Sequence, residues 1–144
     1  MYQQILVPTD GSEISNRAVE AAARLAVLTG AKLEVLSVKE PFPYSAISEM
    51  QPVPPQEFYD AQERLATERL AAGLAAARTC GIQAMGASLE ALHPWEAILE
   101  QAKAKGCDLI VMASHGRRGL GALLLGSETQ KVLTHSTVPV LVIR

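Results

Sequence analysis

The apolar residues of this chain fall in short β-branched runs that alternate with longer stretches of helical period. Ile5-Leu6-Val7 is stopped by Pro8 and reads as a buried strand. The turn and capping residues TDGSE come next. Ile14, Ala18, Ala21, Ala22, Leu25 and Leu28 then share one face of a helix, and Gly30 stands where a C-cap glycine belongs. Leu33 to Val38 is a second strand, and five prolines between residues 41 and 55 predict an irregular connection. Glu57 to Arg78, rich in alanine and leucine with alternating charges, is a good helix former that Gly81 ends. Ile82 to Leu89 reads as a weaker strand interrupted by Gly86. His93-Pro94 opens a third helix with proline at its first position. Trp95, Ile98, Leu99 and Ala102 form its apolar face, and Gly106 closes it. Leu109 to Met112 is a strongly apolar strand, Ser127-x-x-Gln130 has the spacing of a capping box opening a last helix, and Val138 to Ile143 is the final strand.

The order β-α-β-α-β-α-β-α-β predicts an α/β fold: a parallel sheet with helices on both faces and right-handed crossovers. Ligands of such sheets gather at the carboxyl ends of the strands, where the strand order switches. Two polar, glycine-bearing loops lie at strand ends here. One is Pro8-Thr9-Asp10-Gly11-Ser12, and the other runs from Ala113 to Ser127. If strands one and four are neighbours, these loops face each other across one crevice.

Composition narrows the function classes. The chain has 144 residues, 49% hydrophobic and 19% charged, which fits one folded domain over 1–144. A formal charge of −2 gives no global reason to bind nucleic acid or an anionic membrane. Cys80 and Cys107 lie far apart without metal-type spacing and read as small buried or half-buried thiols in a reducing compartment. The three scattered histidines give no metal-site spacing either. The first residues lack the pattern of a signal peptide, and no apolar run approaches a membrane span, so a soluble cytoplasmic protein is expected.

The stretch ASHGRRGLGALLLGS, residues 113–127, holds four of the ten glycines, two arginines and a histidine, and no acid. Glycine is costly to order and serves where backbone bends or approaches something closely, so a bound anion is suggested. It is not a dinucleotide fingerprint, because only Gly11 follows strand one. It is not a P-loop, because Gly121 to Ser127 lacks the lysine. Nor is PTDGS the S-G-G-x-D-S loop of ATP-cleaving synthetases. What remains is Ala113-Ser-His-Gly116, nine residues, then Gly126-Ser127.

With that spacing the chain resembles the universal stress protein family, whose pattern after the fourth strand is G-x-x-G-x9-G-[ST]. ILVPTDGSE, the strand ending at Val38, DLIVMASHGR and VPVLVIR are similar to family blocks, and the resemblance covers the chain outside the proline-rich stretch. It implies a five-stranded sheet of order 3-2-1-4-5 and, for one branch, bound ATP with Mg²⁺ carried on its phosphates. Carried onto this sequence, Asp10 would hold the ribose, with Pro8 and Thr9 beside the base. The Val38 backbone would read the adenine edge, with Met112 near it, and Ala113 would approach the ribose. Gly116, Gly126 and Ser127 would hold the phosphates. Arg117 and Arg118 add charge without fixed geometry. The helix that follows Gly126-Ser127 agrees, since a helix N-terminus offers free N–H groups and partial positive charge. Ala113 departs from the family's first motif glycine; alanine there costs about 1 kcal/mol if the backbone needs φ > 0, and little otherwise. The resemblance also implies a homodimer paired along residues 138–143, an apolar strand at a sheet edge where Pro139 is tolerated.

Plainer readings stand beside these. Asp10 fits an N-cap of the first helix, with Glu13 completing a capping box, and Ser127 fits an N-cap of the last. His115 has no nucleophile placed with it by sequence and reads as a phosphate neighbour or a solvent-facing residue. His93 and His135 read as helix-end residues, Trp95 as core or interface, and the charges of 57–78 as a solvated face. Two functions follow: a nucleotide-binding regulatory protein of the stress response, non-enzymatic beyond slow ATP hydrolysis, or an interaction module of the same fold with a vestigial pocket. An ATP-dependent enzyme is a third.

Overall fold

The computed structural model describes residues 1–42, 55–116 and 125–144. Most of the proline-rich connection, and Arg117 with the middle of the glycine-rich loop, lie outside them. The elements alternate as the hydrophobic pattern requires: β1 (Gln4–Pro8), α1 (Glu13–Thr29), β2 (Lys32–Lys39), α2 (Gln56–Thr79), β3 (Met85–Glu90), α3 (Pro94–Ala104), β4 (Leu109–Ala113), α4 (Ser127–His135) and β5 (Val140–Ile143). The strands form one parallel sheet in the order β3-β2-β1-β4-β5. The chain winds outward through β2 and β3, then returns to the other side of β1, so β1 and β4 meet at the switch point.

The period-two alternation of each strand divides the core between two faces. Ile5, Val7, Leu33, Val35, Leu109, Val111 and Ala113 pack with α1 and α2. Leu6, Leu36, Ile110 and Met112 pack with Ile98 and Ala102 of α3 and Val132 of α4. A buried carboxylate sits among the second set: Glu34 accepts a hydrogen bond from the Gln101 side-chain amide.

Several boundaries and faces differ from the sequence pattern. The third strand begins at Met85 rather than Ile82, and the fifth at Val140 rather than Val138. The buried face of α1 is Ile14, Ser15, Ala18, Val19, Ala22, Ala23 and Ala26, while Leu28 is 82% exposed. Small residues let the helices lie close. A Cβ on Gly73 of α2 would stand 2.9 Å from Val35 Cγ1. Gly86, expected to interrupt β3, lies within it and faces Leu74 of α2, whose Cδ1 would be 3.3 Å from an added Cβ.

The caps of α1 and α4 differ from the sequence pattern. Ser12, not Asp10, caps α1, accepting from the Ser15 N–H at 3.2 Å, while Asp10 Oδ1 accepts from the Ser12 N–H at 2.9 Å. Asp10 therefore shapes the turn before the helix, an Asx arrangement. Ser127 is the first residue of α4, Gly126 holds the cap position, and the Gln130 side chain donates to the Leu125 carbonyl instead of closing a capping box. His93 and Pro94 open α3, and Gly30 closes α1 at φ +73°, as the sequence predicts.

Candidate functional site

The two polar loops meet at the carboxyl ends of β1 and β4. Thr9 donates its N–H to the Leu36 carbonyl at 2.8 Å, extending the β1–β2 ladder by one bond. Its hydroxyl lies 3.0 Å from Ser15 Oγ and accepts from the Gly11 N–H at 3.2 Å. Gly11 has φ +79°, a left-handed turn that glycine adopts without strain. The loop is thus wired to β2 and α1, and Asp10 projects from it. Its Oδ2 lies 2.7 Å from where a Cβ on Gly116 would stand. A side chain at position 116 would meet the Asp10 carboxylate.

The far wall is equally tied down. Ser114 donates its N–H to the Ile143 carbonyl at 2.7 Å, and Thr129 Oγ1 donates to the Ala113 carbonyl at 2.9 Å. Gly126 donates its own N–H to the Ser114 carbonyl at 2.7 Å, and a Cβ there would be 3.1 Å from His115 Cα. Its lack of a side chain therefore serves the closure of this loop onto β4. Its N–H is engaged in this conformation, which leaves the Ser127 hydroxyl and the first-turn N–H groups of α4 as donors, and among the described residues no side chain caps them. The Glu128 carboxylate is held away, accepting from the Trp95 N–H at 2.9 Å, and the Trp95 ring stacks on His135 at 4.7 Å.

Ala113 answers the question its sequence raised. Among the described residues no non-glycine has positive φ, so its backbone is ordinary. Its methyl packs into the α1-side core, and the alanine carries no conformational cost. Met112 points to the opposite face, buried with Ile98, Ala102 and Val132, so any nearness to a base is through its backbone.

Direction of the backbone groups completes the site. Residues alternate in which neighbour they face. The Leu36 carbonyl faces β1 and the Lys39 carbonyl accepts from the Ala91 N–H on the β3 side, so Val38 faces β1. Since β1 pairs with β2 only as far as Pro8↔Leu36, the Val38 N–H and carbonyl extend past its end, a donor and an acceptor side by side. By the same alternation Gln4, Leu6 and Pro8 face β4. Pairing with β4 stops at Leu6↔Ile110, two residues earlier than with β2.

Two features of the site have no distinguishing signal in the sequence. Ser114 Oγ lies 3.1 Å from His115 Nδ1, so a hydroxyl does accompany this histidine, although Ser114 is buried. Arg69, read as part of a solvated face, lines a cleft of about 160 Å³ with Gly11, Leu65, Glu68 and Ala72, and its Nε is buried without a hydrogen-bond partner among the described residues. Among the described residues no group of three His, Cys, Asp or Glu side chains is placed to hold a metal, and no helix is long and apolar enough to cross a membrane.

This strand order, with a polar crevice at the switch point, defines an open, doubly wound α/β protein. Within that class, the model of the Universal stress protein family matches residues 1–144, and the chain belongs to that family. It is 34% identical over 146 residues to a universal stress protein of Thermus aquaticus, covering 100% of both chains. The solved structure of the universal stress protein UspA from Lactobacillus plantarum superposes with a TM-score of 0.83 at 26% identity, over 99% of this chain and 98% of that one. A universal stress protein solved in complex with cAMP superposes at 0.75 with 29% identity, over 99% of this chain and 97% of the other.

Proposed function

We propose that this protein is a nucleotide-binding regulator of the stress response that takes ATP as its Mg²⁺ complex and works as a homodimer. The observation that carries the reading is the Asp10 carboxylate set against Gly116 across the β1–β4 crevice. Asp10 accepts from the ribose hydroxyls, with Pro8 and Thr9 flanking the base. The Val38 N–H and carbonyl match the paired acceptor and donor of the adenine edge. Gly116, Ser127 and the N-terminus of α4 receive the phosphates, with Gly126 closing the turn beneath them, joined by Arg117 of the loop outside the described residues. Mg²⁺ is held through the phosphates and neutralises part of their charge. The universal stress protein solved in complex with cAMP, 29% identical to this chain, supports nucleotide binding.

The protein is read as a binder and not a catalyst. Ser114 is enclosed at 5% exposure, a poor position for attack on a ligand in the crevice. Phosphate release therefore falls well below the usual enzyme range of about 1–1000 per second. The dimer forms along β5, a sheet edge where Leu141 is 42% exposed. Sedimentation at micromolar concentration reads it directly, and a strictly monomeric species removes it.

Calorimetric titration with Mg-ATP tests the central claim. Wild type saturates in the micromolar to millimolar range, and Ala113→Gly gains nothing, because the alanine backbone is ordinary and its methyl lies in the core. No saturation at millimolar nucleotide for either protein ends the nucleotide reading and leaves the interaction module.

A further inference from the structure

We propose that Pro8 is a positioning residue that ends the β1–β4 ladder and so holds the crevice open. Hydrogen bonding alternates along β1: Val7 and Thr9 face β2, whereas Gln4, Leu6 and Pro8 face β4. Continuing the β1–β4 ladder one step beyond Leu6↔Ile110 requires residue 8 to donate its N–H to the Val111 carbonyl. Proline has no N–H. The ladder stops there, although Val7 and Val111 are both fully buried and suited to a strand pair. On the other side, where no donation from residue 8 is needed, pairing continues to Pro8↔Leu36, closed by the Thr9 N–H donating to the Leu36 carbonyl. A proline inside a central strand is otherwise out of place. Here the lost bond falls on the side where the sheet has to part, two residues before Asp10. It also means that residue 8 cannot supply a donor to the Val111 carbonyl.

The effect on ligand rests on the nucleotide reading; the effect on the ladder does not. The test is Pro8→Ala in the full chain, with Pro8→Val as a second variant of higher strand propensity. Amide exchange by NMR is followed at the new residue-8 N–H, together with thermal melting and Mg-ATP titration. The expected result is at least 100-fold slower exchange at residue 8 than at an exposed amide, unchanged or raised melting temperature, and at least tenfold weaker Mg-ATP binding. A residue-8 amide that exchanges like an exposed loop in both variants overturns the proposal, since restoring the donor has not extended the ladder. A protected amide with affinity within twofold of wild type overturns the positioning role. If wild type binds no nucleotide, the nucleotide reading falls alone, and residue-8 exchange still decides whether proline ends the ladder.

Discussion

Replacing Gly116 by alanine tests the contact on which the site is built. The added Cβ would stand 2.7 Å from Asp10 Oδ2, where ordinary contact begins at 3.4 Å. The carboxylate must therefore withdraw by about 0.7 Å, the difference between those distances. It cannot do so freely, because Oδ1 accepts from the Ser12 N–H at 2.9 Å. Gly116 is not among the glycines with positive φ, so alanine brings no backbone strain. The fold should keep its stability to within about 0.5 kcal/mol, as for surface substitutions generally. The ligand should feel the displacement strongly. A hydrogen bond to a charged group is worth about 1.5–3 kcal/mol, so Mg-ATP affinity should fall by roughly 10- to 150-fold. Calorimetry reads the affinity and urea denaturation reads the fold. Affinity within twofold of wild type would refute the role given to Asp10. A stability loss well beyond 1 kcal/mol would show that the Asp10–Gly116 approach is a packing contact of the fold.

Gly73→Ala places a Cβ 2.9 Å from Val35 Cγ1 at the α2–sheet contact. Overpacking costs about 1–3 kcal/mol and the better helix propensity of alanine offsets about 1, so the urea midpoint should drop; a stability gain would mean that α2 shifts freely. Burial, followed by the charges of Glu34 and Asp108, pushes the Cys107 thiol up to about 11, so iodoacetamide near pH 8.5 should label Cys80 and spare Cys107 until the protein unfolds. The stability this thiol contributes is present below its unfolded value of 9.0 and is lost as pH rises through about 11; equal labelling of both cysteines would refute it. Burial pushes the Asp108 carboxyl up, but the N–H groups of Gln4 and Gln3 outweigh that and hold it below its ordinary 3.8. Its contribution is therefore present above 3.8 and lost as pH falls through the folded value, so Asp108→Asn should destabilise at neutral pH and cease to differ from wild type in strong acid; a difference that persists undiminished there counts against the argument.

The strands at the sheet centre were plain in the sequence because Ile5-Leu6-Val7 and Leu109 to Met112 are buried on both faces, and nothing but a parallel strand suits such short runs. The buried face of α1 was less plain. Alanines at 18, 21, 22, 23 and 26 weaken the contrast between faces, and Val19, not Leu28, is the larger residue turned toward α2, its Cγ2 3.9 Å from where a Cβ on Gly73 would stand. Asp10 and Ser12 are both good capping residues, and which one reaches the Ser15 N–H depends on the left-handed turn at Gly11. The pairing of the Asp10 and Gly116 loops followed from the strand order. The engagement of Gly126 with Ser114 did not, because the same glycine suits a phosphate or a neighbouring carbonyl. Arg69 has no distinguishing signal in the sequence, because alternating charges on a helix ordinarily face water, and its place in the cleft depends on how closely α2 lies against Gly11.

Trp95 holds α4 at both ends, by its backbone N–H to Glu128 in the first turn and by its ring on His135 in the last. A shift of this nine-residue helix along its axis would stretch or break one of these two contacts. Because Trp95 is the sole tryptophan of the chain, its emission gauges the position of this helix without an added label.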